Sequence, residues 1–203
     1  MTKLEEWDWR FRNLNEVESF LLAIFSIAVK AIPLFFLLPN YSILVIPAVI
    51  LAATIAVIPH ELAHRQYARK YGCFSRFTLN FTGFLATTII NALPFFGLLF
   101  LSGYTLISCR FFSISKEIEG KSAAVGPLTN IIISVLSFLL IGYVTQTVAF
   151  FLYEIAAFNA AVAFFNLLPF WILDGLKVFR WNVGIWIVMI ISSVVLMYFT
   201  GEL

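Results

Sequence analysis

Histidine and cysteine are nearly absent from this chain, with two of each in 203 residues. Charge is scarce as well: Asp, Glu, Lys and Arg make up 12% of the sequence, where soluble domains carry about 25%. That shortage excludes an ordinary soluble domain. Cys73 and Cys109 have no CxxC spacing, which excludes a thiolate metal site and a disulfide framework and leaves both expected as free thiols. A net charge of +2 is too small for a nucleic-acid surface, and no acidic or basic tail offers itself to a charged partner. The opening stretch, MTKLEEWDWRFRNLNEVESF, lacks the charged start, short apolar core and small-residue cleavage site of a signal peptide, so the first apolar helix is expected to remain in the protein. There is no long linker, low-complexity tract or internal repeat.

What is present is apolar: 62% of residues are hydrophobic and the mean hydropathy is +0.97. This composition predicts an all-α polytopic membrane protein with about five to six transmembrane helices in a single membrane-embedded unit, 1–203. Its core is expected over about 42–180, flanked by an N-terminal segment and first helix (1–41) and a C-terminal helix (181–203). The spans are expected over Ser19 to Leu38, from Ser42 into the stretch Pro59-His60-Glu61-Leu62-Ala63-His64, over Ala123 to Thr145, over Val148 to Leu168, and over Val183 to Thr200. The third should open with Gly126-Pro127-Leu128-Thr129-Asn130, because proline suits a first helical turn.

The connection after the second span should hold a small β-hairpin or re-entrant segment. Residues 74–90 are rich in Thr, Phe and Ile, which suggests strands, either an edge able to pair with an extended substrate or a plain connecting hairpin. Residues 92–108 are apolar but interrupted by Pro94, Gly97 and Gly103, so they are expected to re-enter and not to cross. Of the 13 Lys and Arg residues, Lys30 is intramembrane, and the rest share one side of the membrane if 92–108 does not cross. The positive-inside rule makes that side the cytosol of a multi-pass cell-membrane protein.

Both histidines fall in one HExxH pattern. Residues four apart on a helix share a face, so His60 and His64 can offer two imidazoles to one zinc ion, and Glu61 can serve as base towards a zinc-bound water. A catalytic zinc usually has three protein ligands. Asp174 is the best third candidate: it follows a span, Pro169 opens the helix before it, and Gly175 lets the backbone turn. Glu154, the other intramembrane acid, lies about 20 Å away in depth at 1.5 Å per residue, so it is expected to serve packing with Lys30. Lys30 needs a partner, a wet cavity, or enough stem to snorkel to the nearer interface. Asn166 is either a donor to an oxyanion or a structural residue.

With HELAH ending one helix, GPLTN in a later one and NLLPFWILDG after the next, the sequence resembles the site-2 protease family of intramembrane zinc metalloproteases over about residues 42–180. The resemblance implies that His60, His64 and Asp174 hold one zinc ion, that Glu61 is the catalytic glutamate, and that Asn166 and Pro169 occupy the positions before the LDG. Asn130 matches the asparagine of the GPxxN pattern, with a role in packing or in polarising substrate. The implied activity is hydrolysis of peptide bonds within or near transmembrane segments, with the lipid bilayer and a transmembrane protein substrate as partners and no nucleic acid. The chain departs from larger members in having no PDZ or CBS domain, and its 92–108 insertion is longer than the pattern leads one to expect. The alternative is a non-catalytic zinc-binding membrane protein of the same fold, against which the intact Glu61 argues.

Overall fold

Helix boundaries follow local capping chemistry. In the computed structural model, which describes residues 2–37, 42–95, 97–108, 115–170 and 173–202, helix α1 (Lys3–Arg12) starts with a capping box between Thr2 and Glu5, and α2 (Glu16–Ala28) with one between Asn15 and Glu18. In each, two backbone N–H groups left over at the helix start are satisfied reciprocally. The expected first span is interrupted: α2 gives way at Val29 and Lys30 to a short α3 (Ala31–Leu37). Pro33 is the cause, since it has no N–H to donate to the Val29 carbonyl one turn back.

Helix α4 (Ser42–Lys70) carries the HELAH stretch in its second half and continues past Pro47 and Pro59. Strand β1 (Phe74–Leu79) follows, then α5 (Phe81–Asn91), then β2 (Gly103–Ser108), antiparallel to β1 with Phe77 opposite Thr105. This corrects the strand reading of 74–90. Only its first third is extended, and its partner strand lies beyond a helix that Asn80 caps by accepting from the Gly83 N–H. Among the described residues of 92–108 there is no helix; the chain comes back to the end of β1, where the Asn80 N–H donates to the Ser102 carbonyl at 2.9 Å, and its last part is β2.

Helix α6 (Lys116–Leu140), α7 (Gln146–Leu167), α8 (Asp174–Trp181) and α9 (Val183–Phe199) complete the chain. The Ser115 side chain caps α6, so this helix starts well before Gly126 and the GPLTN stretch lies within it, not at its opening. Among the described residues, four helical stretches are long and apolar enough to cross a membrane: Glu16–Leu37, Ile43–Lys70, Lys116–Tyr143 and Gln146–Leu167. Helix α9, with 17 residues, is at the lower bound for crossing. The expectation of an all-α polytopic membrane protein holds.

Small side chains set the core. Ala52, Ala53 and Ala56 of α4 and Ala156, Ala160 and Ala161 of α7 are almost completely buried, which lets helix backbones approach closely where no hydrophobic effect drives them together. One end of this bundle gathers the C-terminal half of α4, the start of α6, the end of α7, α8 and the hairpin. Arg65 and Glu16 tie the start of α2 to the same end, at 2.5 and 2.6 Å. Cys73 is disulfide-bonded, which corrects the expectation of a free thiol; Cys109 lies outside the described residues. Lack of a CxxC pattern says nothing about two cysteines that flank paired strands.

Candidate metal centre and active site

Two helices deliver the three converging residues. His60 and His64 sit one turn apart on α4, and Asp174 is the first residue of α8. The Nε2 atoms of the two histidines are 3.0 Å apart, and Asp174 Oδ2 lies 2.9 Å from His64 Nε2 and 3.5 Å from His60 Nε2. All three residues are buried or nearly so.

The outer nitrogens decide which atoms face the centre. His64 Nδ1 donates to the Ser122 carbonyl at 2.6 Å, and His60 Nδ1 to Asn130 Oδ1 at 2.5 Å. The Asn130 amide cannot be turned round, because its Nδ2 donates to the Ala56 carbonyl at 2.9 Å and to Asn159 Oδ1 at 2.8 Å. With both Nδ1 atoms protonated, two Nε2 lone pairs and a carboxylate oxygen converge with no proton of their own between them. Such a set repels itself unless a cation lies among the three. Zinc bonds of about 2.0–2.1 Å in a tetrahedron place ligand atoms roughly 3.3 Å apart, and the three observed separations bracket that value. Burial opposes the charged form of Asp174, whereas Lys177, whose Nζ is 3.6 Å from Oδ1, favours it.

Two glycines make room for this centre. A Cβ on Gly126 would collide with the Nε2 atoms of both histidines, so the middle of α6 can line the metal position only with glycine there. A Cβ on Gly175 would run into the Leu167 carbonyl; without one, α8 folds back onto the end of α7 and brings Asp174 to α4.

Glu61 is 3% exposed and is not among the three converging ligands. The Thr105 hydroxyl of β2 donates to its Oε2 at 2.6 Å. Both residues line a cavity of about 450 Å³ together with His60, His64 and Asp174, Asn166 and Gly103 to Ile107 of β2. Asn166 therefore reaches the wall of the site, and one of its amide protons goes to the Val162 carbonyl at 3.0 Å. Asn130 is not among the residues lining the cavity and bonds to His60 from behind, so of its two expected roles the structure supports a structural one. Glu154 is buried in the first half of α7, beside the Tyr153 hydroxyl that donates to Thr200. Lys30 Nζ donates to the Leu93 carbonyl at 3.5 Å, and the acid acting on it electrostatically is Glu202 instead of the expected Glu154. Sequence reasoning missed Thr105, Asn159 and Lys177. Only Lys177, one turn beyond Asp174, left a signal in the spacing.

No family model matches the chain, and no solved structure matches it. The chain is 34% identical over 169 residues to a Methanocaldococcus jannaschii protein named "Putative zinc metalloprotease MJ0611", covering 81% of this chain and 85% of that one. With that relationship over most of both chains, and a buried His-His-Asp group shaped for zinc, this membrane protein belongs to the same zinc metalloprotease family.

Proposed function

We propose that the protein is an intramembrane protease of the site-2 type, hydrolysing peptide bonds within or near transmembrane segments of membrane proteins. One observation carries the reading: a single cavity at the end of an apolar helical bundle holds a His-His-Asp group able to hold a zinc ion, a buried carboxylate outside that group, and one edge of a strand.

The strand edge follows from the register. The Asn80 N–H donates to the Ser102 carbonyl at 2.9 Å, and pairing alternates along an antiparallel ladder. Thr78–Tyr104 and Arg76–Leu106 are then hydrogen-bonded pairs, whereas Leu79–Gly103, Phe77–Thr105 and Ser75–Ile107 point their backbone groups outward. On β1 that outward edge is occupied, since the Phe77 N–H donates to Glu16 Oε1 at 3.0 Å. On β2 it lies along the cavity. The edge suited to an extended substrate is therefore 103–107, not the 74–90 stretch. Pairing there would hold open a segment whose carbonyls a helix otherwise hides.

Bound zinc supplies Lewis acidity, polarising a carbonyl and lowering the pKa of water towards neutrality. Glu61 takes a proton from the attacking water as its oxygen bonds to the carbonyl carbon, and delivers that proton to the leaving nitrogen as the C–N bond breaks. The second amide proton of Asn166 serves the developing oxyanion. The concentration of basic residues at the site end of the chain supports a cytosolic orientation. Zinc binding alone does not need Glu61, which weighs against a non-catalytic zinc carrier. The test is cleavage of a single-span membrane protein in detergent by wild type and Glu61→Ala, with and without chelator. Cleavage by Glu61→Ala, or none by wild type, would sink the reading.

A further inference from the structure

The base is held from outside its own helix. Glu61 has three side-chain torsions and is not one of the three converging residues, so ordering its carboxylate costs rotamer freedom that some contact must offset. Among the described residues, Thr105 is the side chain that hydrogen-bonds its carboxylate. The donated proton lands on Oε2, which leaves Oε1 for the proton of water. Thr105 Oγ1 also lies 3.5 Å from the backbone carbonyl of Glu61, so the hydroxyl packs against both ends of that residue.

Thr105 has a second attachment. It faces Phe77 across a non-hydrogen-bonded pair, so its own N–H and C=O point to the outer edge of β2 along the cavity. Its neighbours on that edge are Gly103 and Ile107. An extended chain pairing with β2 must therefore bond to the backbone of the residue whose side chain secures Glu61.

We infer that Thr105 is a positioning residue that couples substrate docking to the general base: its backbone receives the extended substrate while its hydroxyl fixes the Glu61 carboxylate. The inference rests on the protease reading. Substrate pairing stiffens β2, and β2 in turn sets the base where a misplacement of about 1 Å can cost 10²-fold in rate.

Thr105→Val keeps the β-branched shape and the backbone edge and removes only the donor; Thr105→Ser restores the donor. Kinetics in detergent on one single-span substrate, with zinc per chain measured for each protein, separate the outcomes. Expected are a kcat for Thr105→Val lower by about 10–100-fold with KM within twofold, kcat within several-fold of wild type for Thr105→Ser, and full zinc in both. A wild-type kcat in Thr105→Val, a loss carried by KM, a serine variant as slow as the valine variant, or loss of zinc or fold on removing the hydroxyl would overturn the coupling while the wild type still cleaves. If the wild type itself shows no chelator-sensitive cleavage, the protease reading fails first, and this inference with it.

Discussion

Asn130 Oδ1 accepts the Nδ1 proton of His60, and the two amide protons of Asn130 go to the Ala56 carbonyl and Asn159 Oδ1. One asparagine in α6 thus fixes the tautomer and ring orientation of a ligand on α4, while its own orientation is fixed from α4 and α7. Partners of this kind typically contribute 10–100-fold in metal affinity.

Asn130→Ala is accordingly expected to weaken zinc binding by roughly 10–100-fold. It should also destabilise the fold by about 1–3 kcal/mol through the buried groups it leaves unpaired. Competition with a chelator and a thermal melt measure the two effects separately. Wild-type affinity in this variant would show that His60 needs no such partner.

Gly126→Ala is expected to abolish stoichiometric zinc, because the added methyl would occupy space against both Nε2 atoms. The helix itself should tolerate the change, since alanine is the better helix former by about 1 kcal/mol. Metal analysis alongside a helical circular-dichroism spectrum distinguishes a blocked site from an unfolded protein. Full zinc in a folded Gly126→Ala would contradict the geometry.

Much of this centre was legible in the sequence because local spacing carries it. His60 and His64 are a helix turn apart, and Asp174 follows a span with Pro169 and Gly175 beside it. What was not legible depends on elements that meet only in three dimensions. Thr105 reaches Glu61 across 44 residues through a strand whose partner begins at Phe74, and a helix intervenes between the two strands. Proline misled twice in opposite directions. Pro127 sits inside α6, where tertiary packing outweighs its preference for a first turn, whereas Pro33 interrupts an apolar run that hydropathy alone reads as continuous.

Glu61→Gln should retain zinc and fold, since the side chain keeps its size and an oxygen for the Thr105 hydroxyl. Removing the base should lower the rate by at least the 10²–10⁴-fold typical of general-base catalysis. Near wild-type turnover by a zinc-loaded Glu61→Gln would contradict its assignment as base.

Replacing His60, His64 or Asp174 by alanine should each remove the one zinc expected per chain. Asp174→Ala is the sharpest case, because it leaves two uncharged imidazoles where three ligands met. Chelation of wild type should lower its melting temperature, since a ligand that binds only the native state at 100 times its Kd contributes about 2.7 kcal/mol. The Asp174→Ala protein should melt at the same temperature with and without chelator. Stoichiometric zinc in that variant would mean that another group supplies the third ligand.

The site is expected to face the cytosol. His64 bonds to Ser122 near the start of α6, and Glu16 bonds to Arg65, so the beginning of α2, the end of α4 and the start of α6 lie at one end of the bundle. Helix α7 must then run back to that end to deliver Asp174. Basic residues cluster there, which predicts that this end is cytosolic. Lys116 and Arg180 are exposed at the starts and ends of α6 and α8, unlike Val178, which is fully buried. Single cysteines at 116 and 180, in a protein lacking Cys73 and Cys109, should resist a membrane-impermeant thiol reagent added to intact cells and react after permeabilisation. Labelling of both in intact cells would invert the orientation and leave the site intact, whereas labelling of one alone would place the two on opposite faces. The three metal ligands could not then meet across about 30 Å of hydrocarbon.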